Sequence, residues 1–333
     1  MKHIALFALL ASFANAAITG TVVNGTTGKP QAGVAINLVQ PTQQGMEQLG
    51  TATSGADGTF SFAATPAATA PVLFQATHQT VVYTTMLQPN QPQTNVQVLI
   101  YDSSASREGV SVDRHGILLE PTDKNLMIRE FIFLTNKTKT TYADAANGTY
   151  RFFVPKDAAQ ITVTITPPSS MAVTRPAEKT SDPKYRKIDF PIRPGQTQIE
   201  LQWAMPLTDP LTYTGEILHN DGETRLIVPK GLALEGEGLE SFAPEPRTQS
   251  PIYGVKPGVF TVKVTGKAAP VEPEDPDSGS PDTRAHRPRI YDRYWWIMGF
   301  GLAIMAVSLF AMASRSVPVP AKPVAAIKPA KKK

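Results

Sequence analysis

The sequence predicts a mainly β protein in which tandem β-sandwich domains are followed by one C-terminal transmembrane helix. The chain has 30 prolines and 23 glycines in 333 residues. With frequent Val, Thr, Ile and Phe, this composition favours short strands and turns over helices. Short runs of alternating apolar residues recur about every ten residues, a spacing typical of sandwiches. Residues 295–313 carry no charge, and as a helix they would measure ~28 Å, close to the ~30 Å hydrocarbon core of a bilayer.

Residues 1–16 have the pattern of a secretory signal peptide. Lys2 and His3 precede the apolar run 4–13, and residues 14–16 read Ala-Asn-Ala, an A-x-A cleavage site. The apolar run is too short to cross a bilayer as a helix. We therefore expect the signal to be cleaved and the residues after it to be exported.

The first predicted domain, residues 17–100, has the strand and turn pattern of a β-sandwich. Val34, Ile36 and Leu38 share one face of a strand. Asp57-Gly58 is a hairpin turn, because glycine supplies the positive φ that tight hairpins require. The predicted strands are 18–23, 34–39, 50–54, a strand that carries Phe60 and Phe62, 72–77, 80–87 and 95–101.

The first domain contains six residues whose order along the chain is known from one protein family: two spaced glycines, an Asp-Gly turn and two phenylalanines. They are Gly20, Gly33, Asp57, Gly58, Phe60 and Phe62. Their order resembles the carboxypeptidase regulatory-like domain, which is a prealbumin-like sandwich. The resemblance implies Ig/prealbumin-like sandwiches here. In that family the domain is non-catalytic, and it accompanies catalytic domains or serves envelope proteins as a folding or binding module.

A second resemblance concerns residues 99–103 and the strand that ends at Thr135-Asn136. These segments look like bacterial proteins that carry the same domain, some of them encoded near cytochrome c maturation genes. This resemblance implies an accessory role in cytochrome c maturation.

Two further β units are predicted before the stalk, and the sequence leaves open whether they are two domains or one. Residues 101–206 form a second sandwich, in which 126–136 is a central strand because both of its faces carry apolar residues. Residues 207–267 form a small unit that packs on the second, with a hairpin turn at 219–222. Residues 171–187 are a polar excursion between strands. The other predicted strands are 110–112, 116–120, 148–154, 161–166, 188–191, 198–205, 212–218, 224–229, 232–235 and 259–264.

The C-terminal part predicts a membrane anchor. Residues 268–290 are an acidic, Pro-rich stalk followed by a basic juxtamembrane segment, and 291–314 are the transmembrane helix. Tyr294, Trp295 and Trp296 would lie at the headgroup layer. The tail, 315–333, is basic, which favours a cytoplasmic location, and it is expected to be disordered. We expect a single-pass protein of a bacterial inner membrane whose bulk is periplasmic.

The sequence offers little chemistry for catalysis. The absence of cysteine excludes thiolate catalysis, iron–sulfur clusters and Cys-based zinc sites. Neither H-x-x-E nor H-E-x-x-H occurs, so the catalytic zinc domain of the resembled family is absent. His78, His115, His219 and His286 fall in different predicted units, and no pair has metal-ligand spacing.

Two other sets of residues contain residue types that occur in functional sites. Ser111, Asp113 and His115 contain the residue types of a triad, but no nucleophile elbow G-x-S-x-G occurs. A solvated loop is the expectation for Glu235, Glu237 and Glu240. We therefore predict no catalytic, cofactor-binding or metal-binding residue, no cofactor and no enzyme.

The expected function is a non-enzymatic, membrane-anchored binding or assembly module that presents its sandwiches to another envelope protein. A carbohydrate or cell-wall-binding module is the alternative. Its aromatic face would be Phe74, His78, Tyr83 and Met86, for which burial is the expectation. A hydrolase has the least support. The expected partners are membrane lipid, an envelope protein and, in the alternative, a glycan. Nucleic acid is not expected, because the basic excess lies in the tail and juxtamembrane segment.

Overall fold

A computed structural model of the chain describes residues 18–63, 66 and 70–267. All regular secondary structure in these residues is β-strand, which confirms the predicted mainly β class. None of the described residues forms a helix long and apolar enough to span a bilayer. Several predictions fall outside the described residues: the signal peptide 1–16, the stalk 268–290, the transmembrane helix 291–314 with Tyr294, Trp295 and Trp296, and the tail 315–333.

The first unit is a sandwich of two sheets. One has the order β2-β1-β5, with β8 also paired to β1 in parallel, and the other has the order β4-β3-β6-β7. Alternate residues of the strands point into the core between the sheets. The strands are β1 (Ile18–Asn24), β2 (Lys29–Pro30), β3 (Ala35–Thr42), β4 (Gly45–Thr53), β5 (Thr59–Phe62), β6 (Val72–His78), β7 (Val81–Leu87) and β8 (Val96–Ile100).

The residues that carry the family resemblance have definite structural roles in this sandwich. A Cβ at Gly20 would lie 2.2 Å from the Val96 carbonyl oxygen and 2.4 Å from the Phe60 ring. Gly58 has a φ of +77°, and Gly33 has a φ of +72°, so both occupy the left-handed region that favours glycine. The Asp57 carboxylate accepts hydrogen bonds from the Thr59 amide and hydroxyl. Phe60 and Phe62 are buried in the core.

The remaining strands belong to residues 101–267. They are β9 (Ser103–Ser104), β10 (Val110–Pro121), β11 (Asn125–Asn136), β12 (Thr141–Tyr142), β13 (Tyr150–Phe153), β14 (Ala159–Thr166), β15 (Val173–Arg175), β16 (Glu178–Lys179), β17 (Tyr185–Ile188), β18 (Gly195–Pro206), β19 (Thr212–Ile217), β20 (Glu223–Ile227), β21 (Leu232–Glu235), β22 (Glu240–Phe242), β23 (Ile252–Val255) and β24 (Gly258–Gly266).

One eight-stranded sheet runs through both units predicted for this part. Its order is β15-β14-β18-β11-β10-β20-β23-β22, in which β20 pairs in parallel with β10. Three smaller sheets, β13-β17-β16, β19-β24-β21 and the two-stranded β12-β9, complete the unit. A single buried cluster extends from Val110 to Val264. Residues 101–206 and 207–267 therefore share one sheet and one core, and the expected boundary at 206/207 runs through both.

Three strand predictions are wrong in detail. The strands predicted at 110–112 and 116–120 are one strand, β10, with a register shift between Val112 and Arg114. The polar excursion 171–187 contains β15, β16 and most of β17. They form because β15 pairs with β14, β17 with β13, and β16 with β17. The strand predicted at 188–191 ends at Ile188. These strands are determined by pairing with a neighbouring strand, and the alternation of apolar residues in the sequence does not reveal such pairing.

Direct contacts join the first sandwich to the following residues. The Tyr83 hydroxyl donates to the Tyr101 carbonyl at 2.7 Å and lies 2.8 Å from the Thr141 hydroxyl. The Arg193 guanidinium donates to the Val82 carbonyl at 2.8 Å and lies 5.1 Å from the centre of the Tyr83 ring. These contacts fix the linker at the end of β8 against both β units.

Candidate functional site

A large open cavity in the second β unit is lined by basic side chains, and we call it the basic cavity. Its volume is about 720 Å³. Arg107, Arg151, Lys179 and Lys187 line it, and no aspartate or glutamate does. A wall of this composition creates a positive potential that attracts anions.

Four separate segments supply the basic side chains and the turn beside them. Lys179 and Lys187 lie on the paired strands β16 and β17, and Arg151 lies on β13 next to them. Arg107 comes from the loop before β10. The turn before β13 requires Gly148, whose φ is +78° and whose Cβ would lie 3.0 Å from the Ile188 carbonyl oxygen.

The four cationic side chains differ in whether a carboxylate of the protein already pairs with them. Lys187 donates to the carbonyls of Ala145 and Ala146 at 3.1 and 2.9 Å and lies 3.8 Å from the Glu178 carboxylate. Arg107 lies 3.5 Å from the carboxylate of Asp221. In the part of the chain that the structure describes, neither Arg151 nor Lys179 has an ion pair, so these two are the most available for an external anion.

The aromatic residues of the wall do not present free ring faces. The Arg151 guanidinium lies 4.1 Å over the Tyr185 ring, and the Tyr185 hydroxyl donates to the Glu216 carboxylate at 3.0 Å. Tyr142 and Tyr150 are buried, and burial raises the pKa of the Tyr150 hydroxyl. The cavity is therefore electrostatic in character, without the open aromatic platform that sugars stack on.

His219 lies in the wall of the basic cavity and begins a buried chain of hydrogen bonds. We call His219, His115 and Glu130 the histidine network. His219 Nδ1 lies 2.7 Å from the carbonyl oxygen of Asp221, and its Nε2 lies 3.0 Å from His115 Nδ1. His115 Nε2 lies 3.0 Å from Glu130 Oε2.

The histidine network is almost completely removed from solvent. The His115, His219 and Glu130 side chains are 4%, 5% and 9% exposed. Burial and the neighbouring His115 ring lower the pKa of His219. Burial and the Glu130 carboxyl, to which its hydroxyl is hydrogen-bonded, raise the pKa of Tyr213 well above its usual range. Titratable groups enclosed in this way, beside a cavity, are typical of functional sites.

His115 and His219, which fall in different predicted units, lie side by side in the structure. The parallel pairing of β10 with β20, which no sequence pattern announces, brings the segment around His219 beside β10. The sequence did contain one sign of the network. Glu130 is an acidic residue on the buried face of β11, whose other residues include Leu126, Ile128, Ile132 and Leu134. An acid on an apolar face requires a buried polar partner.

The other candidate residues of the sequence that the structure describes do not line the basic cavity. Ser111 donates to Asp113 at 3.4 Å, and Thr135 also donates to Asp113. His115 is hydrogen-bonded to Glu130 instead, so Ser111, Asp113 and His115 do not form a triad. His78 lies 3.0 Å from Asp102. His286 falls outside the described residues. Among the residues that are described, no group of three or more His, Cys, Asp or Glu could hold a metal ion, and Glu235, Glu237 and Glu240 are among these residues.

The four residues of the predicted glycan-binding face do not form one exposed aromatic surface. Phe74 and Tyr83 are buried, as expected for a sandwich core, whereas Met86 is exposed. The four residues therefore do not share one accessible surface.

Comparison with known proteins adds no assignment. No family profile matches the sequence, and no curated protein matches it. Solved structures similar to the chain include the M1 zinc metallopeptidase from Deinococcus radiodurans and a point mutant of it. Each match has 11% identity and a TM-score of 0.26, and covers 48% of this chain and 43% of the peptidase chain. The chain thus spans less than half the length of that protein, and a likeness this weak carries no argument.

Proposed function

We propose that the chain is a non-enzymatic, membrane-anchored extracytoplasmic binding module, and that its basic cavity takes an acidic segment of another envelope protein. One observation carries the proposal: four cationic side chains and no carboxylate line a cavity of about 720 Å³. The signal peptide 1–16 and the anchor 291–314 belong to the proposal on the strength of the sequence alone.

The ligand chemistry follows from the wall. Arg151 offers a planar guanidinium that matches a carboxylate, and Lys179 offers a flexible point charge without an ion-pair partner among the described residues. Because both side chains are exposed, each contact contributes only about 0.2–1 kcal/mol. Several carboxylates on one flexible segment would engage the four cations together, which favours an acidic peptide over a single small anion.

A glycan remains the alternative, and the cavity favours it less. Sugar-binding sites expose flat aromatic faces, whereas the Tyr185 face is covered by Arg151, and Tyr142 and Tyr150 are buried. A glycan would have to bind through acidic groups alone.

The test is a binding titration with the full-length protein in neutral detergent. The probe is fluorescent hexaglutamate with blocked ends, at physiological ionic strength, and hexaglutamine is its neutral counterpart. We expect hexaglutamate to bind and hexaglutamine not to bind. The double variant Arg151→Gln/Lys179→Gln should weaken binding by about 2- to 30-fold, since two charge contacts of about 0.2–1 kcal/mol each are lost.

The matched control is Lys256→Gln/Lys263→Gln, which neutralises two exposed cations outside the basic cavity. It should leave the affinity within about twofold of the original, because it removes the same type of charge elsewhere. An equal loss in both double variants would show that only net charge matters and would refute the cavity as the site.

A further inference from the structure

We propose that the histidine network is a one-proton relay coupled to the basic cavity, so that the protein binds an anion more tightly when the network holds its proton. The ligand in this inference rests on the proposed function. The relay itself rests on hydrogen-bond geometry and is testable without any ligand.

The outer end of the network fixes one tautomer. His219 Nδ1 lies 2.7 Å from the backbone carbonyl of Asp221, and a carbonyl oxygen only accepts hydrogen bonds. Nδ1 therefore carries a hydrogen. If the His219 ring is neutral, its Nε2 is an acceptor, and His115 Nδ1 must donate to it across 3.0 Å.

The inner end then requires one extra proton. A neutral His115 that donates from Nδ1 has a bare Nε2, and this atom lies 3.0 Å from Glu130 Oε2. A bare nitrogen and a carboxylate oxygen are both acceptors. The contact is a hydrogen bond only if a proton lies on His115 Nε2 or on the Glu130 carboxyl.

The same proton has a third position. With His219 doubly protonated, its Nε2 donates to His115 Nδ1, and His115 donates from Nε2 to the Glu130 carboxylate. All three arrangements satisfy every hydrogen bond and contain the same number of protons. They differ in where the proton lies. With the proton on the Glu130 carboxyl all three groups are neutral, whereas in the other two arrangements Glu130 is a carboxylate and the positive charge lies on His115 or on His219 in the cavity wall.

Charged groups around the network set the balance between these arrangements. The Tyr213 hydroxyl on β19 is hydrogen-bonded to Glu130, and Tyr150 on β13 is buried near Glu130, Arg107 and Asp221. Asp221 favours charge on His219, whereas burial, His115 and Arg107 oppose it. In the ligand-free protein these surroundings therefore oppose a positive charge on His219.

An anion in the basic cavity changes this balance. It attracts positive charge toward His219 in the wall and stabilises every state that holds the proton. Loss of the proton leaves one contact of the network without a hydrogen, because the single hydrogen of a neutral His115 serves either Glu130 or His219 but not both. Such an unsatisfied buried contact has a high free energy. Anion binding and protonation therefore strengthen each other.

The first test compares the native protein with Glu130→Gln. The glutamine amide donates to His115 Nε2 without an added proton, and its oxygen still accepts from Tyr213. Hexaglutamate affinity of the full-length protein is measured between about pH 6 and 9, where the carboxylates of the probe stay ionised. In the native protein the affinity should fall as pH rises, by at most about tenfold per pH unit, because one proton is linked.

In Glu130→Gln the affinity should be independent of pH. The matched control is Glu223→Gln, an exposed acid outside the network, and it should keep the native pH profile. A flat profile in the native protein, or an unchanged slope in Glu130→Gln, would overturn the inference.

The second test needs no ligand and separates this inference from the proposed function. Imidazole ¹⁵N spectra of the full-length protein report the tautomers of His115 and His219 directly. We expect Nδ1-protonated His219 at high pH and one shared titration of both rings, which is abolished in Glu130→Gln. Nε2-protonated His219 at high pH, or independent titration of the two rings, would refute the relay. If hexaglutamate binds at no pH, the proposed function and the coupling both fail, and the spectra still decide the relay.

Discussion

His115 Nδ1 lies 3.0 Å from His219 Nε2, although 104 residues separate the two in the chain. His115 lies on β10, and its backbone pairs with Thr224 on β20, just after the turn that carries His219. The pairing is parallel and joins the two segments that the sequence divides into separate units. The basic cavity and the histidine network exist only because these segments fold as one.

Truncation of His219 tests the packing of the network. His219→Ala removes the acceptor of the His115 Nδ1 hydrogen bond and leaves buried polar groups unsatisfied. We expect a loss of roughly 1–3 kcal/mol in the free energy of unfolding, measured by urea denaturation at neutral pH. The neighbour Leu218 is 41% exposed, so Leu218→Ala should change stability by less than about 0.5 kcal/mol. Equal effects of the two substitutions would mean that the network contributes nothing to stability.

A substitution in β20 tests whether residues 101–267 share one core. Leu226 is fully buried, and Leu226→Ala should cost roughly 2–5 kcal/mol. Hydrogen exchange should show lost protection in β10 and β11 as well as in β20, because the three strands lie in one sheet. Val259 is 71% exposed, and Val259→Ala is the neutral control. Lost protection confined to residues 207–267 would contradict the shared core.

Two glycines of the first sandwich separate backbone conformation from crowding. Gly28 and Gly58 have φ values of +72° and +77°, but a Cβ at Gly28 meets open space, whereas one at Gly58 lies 2.8 Å from Pro30 Cβ. Gly28→Ala should cost about 1–2 kcal/mol from the left-handed backbone alone. Gly58→Ala should cost about 1–3 kcal/mol more from overpacking. Thermal unfolding of both variants measures the difference, and equal costs would show that the loop relaxes freely.

Asp102 gives the first sandwich an acid-sensitive contact. Hydrogen bonds from His78 and Asn24 hold the pKa of Asp102 below its ordinary value. A lowered folded pKa contributes stability above the unfolded value of about 3.9, and this stability is lost as pH falls through the folded pKa. Asp102→Asn should therefore reduce the loss of stability between about pH 6 and 3, measured as melting temperature. Asp157→Asn, which changes an exposed carboxylate, should not reduce it.

Local periodicity predicts the first sandwich well. The alternation at 34–39 falls within β3, and the Asp57-Gly58 turn leads directly into β5. Periodicity fails where the neighbouring strand decides. Strand β22 is exposed at all three positions and has no alternation to detect, so it forms only because β23 lies beside it.

The basic cavity was invisible for a related reason. Its cations come from four segments, and two of them, Lys179 and Lys187, lie in the stretch that reads as a polar excursion. A lysine in such a stretch has no distinguishing local pattern. Glu130 is different, because an acid among buried apolar residues of one strand face is a readable sign of a buried polar partner.

Photo-crosslinking in cells tests the central claim, an acidic envelope partner in the basic cavity, most directly. A photoreactive amino acid replaces Leu218, which lines the cavity, and in a control chain it replaces the more exposed Val259, which does not. The account predicts a discrete crosslinked protein from position 218 only. The attached peptide should be rich in Asp and Glu, and the product should be lost in Arg151→Gln/Lys179→Gln. The same products from both positions, or a product that survives neutralisation of the cavity, would contradict it.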